Sequence, residues 1–396
     1  MRGIRVFLFP SMRGYRGAWA AADVVAGLTL VAIAIPEQMA TAHLANMPAV
    51  AGFYAFVAGS LLFALFGRHP ALSVGADSTI APIFAAGVAG LAVAGSAAYT
   101  HLVSATALVV GGLVMAVGVL RLGWVADFLP LPVVTGVLAG IGIEILVKQL
   151  PTVLGLAGGG TTTVGRVRAI VDQIGSLNGW ALGIAAGVLS VVVVSEKVDR
   201  RVPGALIGVV GATALVASAG LRDHGVKVVG LVQAHLPHLA FPSVKLSDVG
   251  DLMGTAVTVA FLCVVQTSAT VRSNPPSPGQ GGSGEEPRPI DFDVDLATVG
   301  AGSVLSGLAG SFAVNASPPR TAVAASAGGR SQVTNLVAAA AVVVVLAVAT
   351  SLLKDLPEAA LGAILIFVAS RLFRAKELLA IYRFGWQEFV LTAVTL

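Results

Sequence analysis

Apolar stretches long enough to cross a lipid bilayer recur along the whole chain of 396 residues. A membrane-spanning helix needs about 20 mostly apolar residues. The chain is 56% hydrophobic and 11% charged, whereas soluble proteins average about 25% charged residues. We therefore predict an all-α polytopic membrane protein. Its candidate helices cover residues 23–42, 49–66, 77–95, 101–120, 131–150, 179–195, 203–220, 249–270, 293–312, 320–332, 333–353, 357–372 and 386 onward.

The basic residues test the orientation of these helices, because short cytoplasmic loops are enriched in Lys and Arg. With a cytoplasmic N-terminus, 16 of the 24 basic residues fall on the inner side and seven on the outer side. The seven outer residues are Lys148, Arg166, Arg168, Arg222, Lys227, Lys245 and Lys354. The remaining one, Arg320, lies at bilayer depth, where a charge costs about 2.5 kcal/mol or more. A function that needs this charge is therefore indicated.

A linker-like stretch divides the chain into two halves. Residues 274–284 are rich in Pro, Gly and Ser, which is typical of a mobile linker. We predict a lead-in at 1–20, a first repeat of seven segments at 21–220, an extracytoplasmic loop at 221–248 and a second repeat at 249–396, with a mobile cytoplasmic loop at 272–290. The last predicted segment, residues 386–396, is too short to span a bilayer. We therefore expect the natural chain to be longer.

Each half contains one polar interruption where a helix should be continuous. In the first half, Arg68-His69-Pro70 leads into an extended run and a helix start at Asp77. In the second half, residues 315–323 place two prolines and Arg320 in apolar sequence. Broken helices at corresponding positions of two halves are typical of inverted-repeat transporters. The N-termini of half-helices carry partial positive charge and free N–H groups, so the pair predicts an anion site.

Other function classes lack their motifs in this sequence. The single cysteine, Cys263, excludes an internal disulfide. The six histidines show no metal-site spacing, and the sequence has no HExxH motif, no G-x-S-x-G motif and no phosphate-binding loop, since the Gly158–Gly160 run has no following lysine. We therefore expect neither an enzyme nor a cofactor or metal, and nothing indicates nucleic-acid binding.

Three sets of residues form recognisable motifs, in order from the first to the tenth predicted helix. Residues 34–40 with 46–54 resemble the signature "IPQGMAYA...LPPVYGLY". Residues 73–76 resemble "SVGP", and residues 317–323 with 327–331 resemble "SFSRTAVN...AGART". Together these motifs resemble those of the SulP (sulfate permease) or solute carrier 26 family of anion transporters.

This resemblance implies a fold of 14 membrane segments in two inverted repeats of seven, with a core domain and a gate domain. The half-helices, segments 3 and 10, would meet at mid-membrane, and substrate would bind between segments 1, 3, 8 and 10. It also implies alternating access, a homodimer, a bacterial inner-membrane location and a cytoplasmic STAS domain after the last segment. The sequence given stops within the thirteenth segment and contains no such domain.

The resemblance also assigns the site. The expected substrate-binding residues lie in segments 1, 3, 8 and 10: Gln38, Ser73, Val74, Gly75, Ala76, Gln266, Thr267, Ala316, Ser317, Pro318, Arg320 and Thr321. The chain departs from the family pattern at three places. Glu37 stands where many members have Gln, Gln266 stands where several bacterial members have an acid, and Pro318-Pro319 replaces Phe-Ser. Glu37 is the expected proton-coupling residue.

Each assignment has an alternative. Arg320 coordinates an anion or forms a structural salt bridge to Glu37, and Glu37 accepts a proton, stays ion-paired with Arg320, or faces a wet surface. Asp77 caps the helix that follows it or faces the substrate cavity. Gln38, Gln266 and Thr267 supply donors to substrate or hydrogen-bond between helices. Glu144 forms a helix-surface pair with Lys148 four residues later.

The sequence favours a secondary active transporter of a small anion. Glu37 in place of Gln, together with one basic anchor, favours proton-coupled symport of a carboxylate or dicarboxylate such as fumarate, with sodium as the other candidate coupling ion. The alternatives are a sulfate or bicarbonate transporter or exchanger, and an uncoupled anion channel on the same scaffold. A related nucleobase carrier would have acids at the two binding helices, whereas this chain has Arg320 and Gln266.

Overall fold

The computed structural model describes residues 8–12, 14–124, 131–159, 163–198, 204–230, 237, 239–276, 291–348 and 354–372. Within these ranges the chain forms thirteen α-helices and one pair of two-residue strands. In chain order these are α1 Ala20–Leu44, α2 Ala49–Phe66, β1 Val74–Gly75, α3 Ala81–Val88, α4 Ala97–Val119, α5 Leu131–Leu154, α6 Thr163–Asp172, α7 Gly179–Val198, α8 Gly204–Ala219, α9 Leu246–Ser273, α10 Phe292–Leu308, β2 Asn315–Ala316, α11 Pro318–Ser326, α12 Val333–Val348 and α13 Glu358–Leu372.

The long apolar helices form where the sequence predicts them. Helix α2 has the predicted bounds, and α1, α4, α7 and α9 are also long and apolar enough to cross a membrane. Shorter apolar helices complete the fold. Because of these apolar helices, the chain is a multi-pass membrane protein, and its helices are treated as membrane-embedded. The predicted segment from residue 386 onward and residues 277–290 of the predicted cytoplasmic loop lie outside the described residues.

Two candidate helices are shorter in the structure than their predicted ranges. The stretch predicted as a helix at 77–95 contains α3, of eight residues, and the stretch at 320–332 contains α11, of nine. Each follows a strand, and their short lengths agree with the half-helices expected for segments 3 and 10. The structure also contains α6, which the sequence analysis did not predict. Its ten residues have no buried side chain and are too few to span.

The described helices group into two compact units. One comprises Met1–Ala126 and Ala234–Val348, and the other Asp127–Gln233 and Ala349–Leu396. The first unit therefore holds α1–α4 and α9–α12, with the same order in both parts: two longer helices, a strand with a half-helix, and a further helix. The second unit holds α5–α8 and α13. Both polar interruptions lie in the first unit.

The two strands pair with each other across the interruptions. They are antiparallel, with Val74 opposite Ala316 and Gly75 opposite Asn315, and the N–H of Ser317 donates to the carbonyl of Ser73 at 3.0 Å. Backbone groups in a dry interior must find partners within the protein, and this pairing supplies them where neither chain is helical. Pro318 and Pro319 start α11, where the absence of an N–H is tolerated.

Glycines allow the backbones of this fold to lie close together. A Cβ on Gly59 of α2 would lie 2.8 Å from the carbonyl oxygen of Val74 in β1, and a Cβ on Gly52 of α2 would overlap the carbonyl oxygen of Gln38 in α1. Gly204 and Gly208 of α8 likewise lie close to α7.

Two buried carboxylates hold the loops that flank the interruptions. Asp295 of α10 accepts the backbone N–H groups of Arg68 and His69 through Oδ1, at 2.6 and 3.3 Å. Asp23 of α1 does the same for Arg330 and Ser331, at 2.6 and 3.3 Å. Each half of the first unit therefore has its interrupted segment fixed by a carboxylate from another helix.

Candidate functional site

The interruptions bring the predicted site residues together inside the first unit. Strand β1 and the start of α3 lie against β2 and the start of α11, while α1 contributes Glu37 and Gln38 and α9 contributes Gln266 and Thr267. The polar and charged members of this set are all buried. The sequence analysis therefore identified segments that lie side by side in the fold.

Arg320 is fully buried and only partly satisfied. Its Nη1 donates to Oε1 of Glu37 at 2.7 Å and to the carbonyl of Ala76 at 2.9 Å. Among the described residues, its Nε and Nη2 have no hydrogen-bond partner. Its guanidinium carbon lies 5.9 Å from the ring centroid of Phe56 on α2. An arginine fork with two unused donor atoms in a dry site is suited to bind an anion.

Glu37 lies in the same dry environment as Arg320. Its side chain is 3% exposed and ion-paired, which excludes the alternative of a wet surface. A carboxylate and a guanidinium side by side have no net charge, so the pair can persist away from water. The structure contains the predicted salt bridge, and the bridge leaves part of the guanidinium free. Structural pairing and anion binding are therefore compatible.

Several side chains assigned to substrate instead hold the strands in this structure. Gln38 donates from Nε2 to the carbonyl of Ala76 at 3.0 Å and accepts the N–H of the same residue through Oε1 at 2.9 Å. Thr321 accepts the N–H of Ser73 at 3.1 Å. Thr267 donates to Oδ1 of Asn315 at 3.2 Å. These bonds correspond to the alternative of hydrogen bonding between segments, and a direct contact of these residues with substrate stays a prediction.

The same region contains a group of buried polar atoms that have no partner within the described part of the chain. They are Oγ1 of Thr41, Oγ of Ser73, Nδ2 of Asn315, Oγ of Ser317, and Nε and Nη2 of Arg320. A buried polar atom without a partner costs about 1–3 kcal/mol. Since native proteins rarely leave such atoms unpaired, their occurrence on α1, on β2 and on the residues that flank the strands supports a ligand site beside Arg320.

Some of these residues were not assigned from the sequence. Asn315 lies in the quoted motif region but was not given a role, and Thr41 and Phe56 were not singled out. Thr41 lies four residues after Glu37, so helical spacing places both on one face of α1, and this signal was available. Phe56 carries no signal of its own, because its position over the guanidinium depends on how α2 packs against β1.

Asp77 is buried beside the site and forms part of a side-chain network. Its Oδ1 accepts the N–H of Thr79 at 2.9 Å and lies 2.5 Å from the hydroxyl of the same residue. The hydroxyl oxygen also lies 2.6 Å from Oε1 of Gln266. The predicted cap is wrong, because α3 starts at Ala81 with Ile80 as its N-cap and has no side-chain cap hydrogen bond. Asp77 instead stabilises the turn ahead of α3 and is linked to α9 through Thr79.

Two further predictions concern residues outside this site. The side chain of Glu144 lies outside the described residues, so its pairing with Lys148 stays a prediction. In the part of the chain that the structure describes, no three His, Cys, Asp or Glu side chains lie close enough to hold a metal ion.

Known proteins with similar sequences are transporters. The model of the Sulfate permease family matches residues 21–395. A probable sulfate transporter of Mycobacterium tuberculosis (strain CDC 1551 / Oshkosh) is 33% identical over 383 residues, which cover 97% of this chain and 67% of that protein. Solute carrier family 26 member 6 of Homo sapiens is 26% identical over 88% of this chain and 48% of its own length.

Solved structures resemble the whole fold. The transmembrane domain of a cyanobacterium bicarbonate transporter, BicA, has a TM-score of 0.83 at 21% identity, covering 96% of this chain and 95% of that one. A structure of SLC26A9 has a TM-score of 0.85 at 22% identity, covering 94% of this chain and 61% of that one. At this identity the likeness shows the fold, and it confirms the predicted inverted-repeat architecture.

Proposed function

The chain belongs to the sulfate permease family of anion transporters, and from this premise we propose that it is a secondary active transporter that carries small anions together with protons. The observation that carries the proposal is Arg320, fully buried, paired with Glu37 and left with two unpartnered donor atoms. An enzymatic role is not part of the proposal, since its relatives are named as transporters.

Anion recognition follows from the guanidinium geometry. Nε and Nη2 are neighbouring donors in one plane, which suits two oxygens of a carboxylate, sulfate or bicarbonate ion. Oγ of Ser73 and Oγ of Ser317 are further unpartnered groups from the two strands. The start of α11 adds partial positive charge. Gly75 keeps the space beside the guanidinium open. A Cβ at this position would lie 2.8 Å from the ring of Phe56 and would be in van der Waals contact with Nη2, at 3.4 Å.

Proton coupling follows from charge balance. Arg320 and Glu37 are neutral as a pair, so an anion that binds Arg320 brings its whole negative charge uncompensated into a dry site. A proton on Glu37 offsets one negative charge and releases the guanidinium from the ion pair, which fully balances a monoanion and lowers the excess charge of a dianion to one. The anion and the proton therefore bind together and leave together, which is symport.

We propose a carboxylate or dicarboxylate such as fumarate as substrate, because the Glu37 carboxyl group can carry a proton next to the bound carboxylate. The second candidate is sulfate or bicarbonate, as a transported or exchanged ion. It is supported by the names of the mycobacterial and cyanobacterial relatives. We further propose a homodimer in a bacterial inner membrane, with a cytoplasmic N-terminus, working by alternating access.

Uptake into proteoliposomes tests this function. Purified protein would be given radiolabelled fumarate, sulfate or bicarbonate, with the internal pH set equal to or above the external pH. We expect the substrate to accumulate only when the lumen is alkaline. We expect Glu37→Gln to bind the anion and lose this dependence on pH. Asp251→Asn, a neutralised acid on an exposed part of α9, serves as the matched control and should behave as wild type.

Three results would contradict the proposal. Accumulation that ignores the pH gradient would exclude proton coupling, and so would a Glu37→Gln variant that keeps the full pH response. Unitary currents in a planar bilayer, without accumulation, would identify an anion channel instead. Preference for sulfate or bicarbonate over fumarate would exchange the first substrate for the second candidate.

A further inference from the structure

The hydroxyl of Thr79 lies between two oxygens that both require a donor. Its Oγ1 is 2.5 Å from Oδ1 of Asp77 and 2.6 Å from Oε1 of Gln266. A threonine hydroxyl has one hydrogen and can donate to only one of them. With an ionised Asp77, one of these two short contacts would therefore join two acceptors without a hydrogen between them.

The amide of Gln266 does not remove this conflict by turning over. Its Nε2 donates to the carbonyl of Ala316 in β2 at 3.2 Å. If oxygen and nitrogen were exchanged, an amide oxygen would face that carbonyl oxygen, and a bond between α9 and β2 would be lost. The orientation with Oε1 towards Thr79 is the one that satisfies both ends of the amide.

Among the described residues, Asp77 is therefore the group that can supply the missing hydrogen. When its carboxyl group carries a proton, Asp77 donates to Thr79, Thr79 donates to Gln266, and Gln266 donates to Ala316. Every member of this chain then has a donor for its acceptor, as buried polar networks require.

Charge balance at the site supports the same assignment independently. Asp77 is 3% exposed. Of the helices packed against α3, α1 carries Glu37 and α9 carries Cys263, while the titratable residues of α4, Tyr99 and His101, bond to Ala45 and Ser243. Arg320 donates to the carbonyl of Ala76, the residue before Asp77, and its charge is already paired with Glu37.

We propose that Asp77 is a second proton-binding residue of the transport cycle, and that Thr79 transmits its protonation state to Gln266. The inference rests on the proposed proton-coupled function. Loss of the proton lets the Thr79 hydroxyl turn back to Asp77 and leaves Oε1 of Gln266 without a donor. The bond from Gln266 to Ala316 then loses its support, so the proton on Asp77 controls how firmly α9 holds the strand that leads to Arg320.

Infrared spectroscopy of the purified protein tests the proton directly, without transport. We expect wild type at neutral pH to show the carbonyl stretch of a buried carboxylic acid. Asp77→Asn should remove the Asp77 component of this band, seen in the wild-type minus variant spectrum, and Thr79→Val should shift the frequency of that component because the hydrogen bond is lost. Thr79→Ser, which keeps the hydroxyl, should restore the wild-type frequency. Asp251→Asn should leave the band unchanged.

Transport provides the second measurement. We expect Thr79→Val to lower pH-driven uptake about fivefold to tenfold, the effect of one hydrogen bond, and Thr79→Ser to recover it. A wild-type spectrum identical to that of Asp77→Asn in this region would overturn the proposal, because other buried acids such as Glu37 contribute equally to both spectra. If Asp77→Asn does not fold, an unshifted band in Thr79→Val does the same. Failure of the proposed function is distinct, because it would abolish pH-driven uptake and leave the infrared band in place.

Discussion

Replacing Arg320 by lysine separates the charge of this residue from its geometry. Lysine keeps the positive charge opposite Glu37, so the ion pair of 2.7 Å has a counterpart and the fold retains its neutral pair. Lysine does not keep the planar fork. It has three donors on a single nitrogen, and the bonds to Glu37 and Ala76 take two of them.

The expected loss of affinity follows from the donors that remain. Arg320 has two unpartnered atoms, Nε and Nη2, whereas the lysine would have one free N–H. At least one hydrogen bond to the anion is therefore lost. Hydrogen bonds to charged groups contribute about 1.5–3 kcal/mol each, which corresponds to a dissociation constant roughly 10- to 150-fold higher.

Equilibrium binding of radiolabelled fumarate and sulfate to detergent-purified protein measures this loss. The matched control is Arg222→Lys, at an exposed arginine that pairs with Asp355 in the second unit, and its affinity should equal that of wild type. A thermal melting curve of each variant shows that the fold is retained. If Arg320→Lys binds both anions within about threefold of wild type, the unpartnered donors do not bind substrate and the argument from geometry is refuted.

Three further predictions concern the framework of the site. Gly52→Ala should abolish the monodisperse peak in size-exclusion chromatography, because its Cβ would lie 2.0 Å from the carbonyl oxygen of Gln38, whereas Gly112→Ala, with nothing within 4 Å, should leave it intact. Asp23→Ala should lower the free energy of unfolding by on the order of 3 kcal/mol, since its carboxylate accepts four hydrogen bonds, and an unchanged melting temperature would contradict this. Burial lowers the pKa of His69 to about 4, so the imidazole binds a proton more tightly in the unfolded chain than in the folded one. The free energy of unfolding is therefore at its full value above pH ~6.5. It falls by about 3 kcal/mol as the pH drops towards 4. Melting temperatures should show this decline in wild type and a flatter profile in His69→Gln.

The sequence predicted the membrane class, the long helices and the segments that lie together at the candidate site, because these depend on local patterns. The apolar length of α2 and the polar interruption at Arg320 can both be recognised within about 20 consecutive residues of sequence. The lengths of α3 and α11 were not predicted, since an apolar residue next to a half-helix and one inside a spanning helix look alike in sequence. The same limit applies to Phe56, whose place over the guanidinium depends on packing between α2 and β1.

Roles of polar residues were harder to predict than their location. Gln38 and Thr321 were expected to face substrate, yet in this structure their donors and acceptors are used by the backbone of Ala76 and Ser73. The sequence shows that a polar group is present in an apolar helix, and it does not show which partner that group finds. A strand pair in a dry interior consumes many such groups, because each strand has only one neighbouring strand to bond.

This use of side chains has a consequence for how the site binds its anion. The groups that hold the strands are already satisfied, so an anion gains little by competing for them, and its binding energy must come from atoms that have no partner: Nε and Nη2 of Arg320 and the hydroxyls of Ser73 and Ser317. These atoms are few, and one of the residues that carry them, Arg320, is ion-paired with Glu37. In the proposed mechanism, an anion therefore binds most strongly when Glu37 is protonated and the whole guanidinium is free. The proposal thus gives the strength of anion binding and the dependence on protons one origin, and it predicts that a variant without the Glu37 carboxylate binds anions at least as tightly as wild type while losing its response to pH.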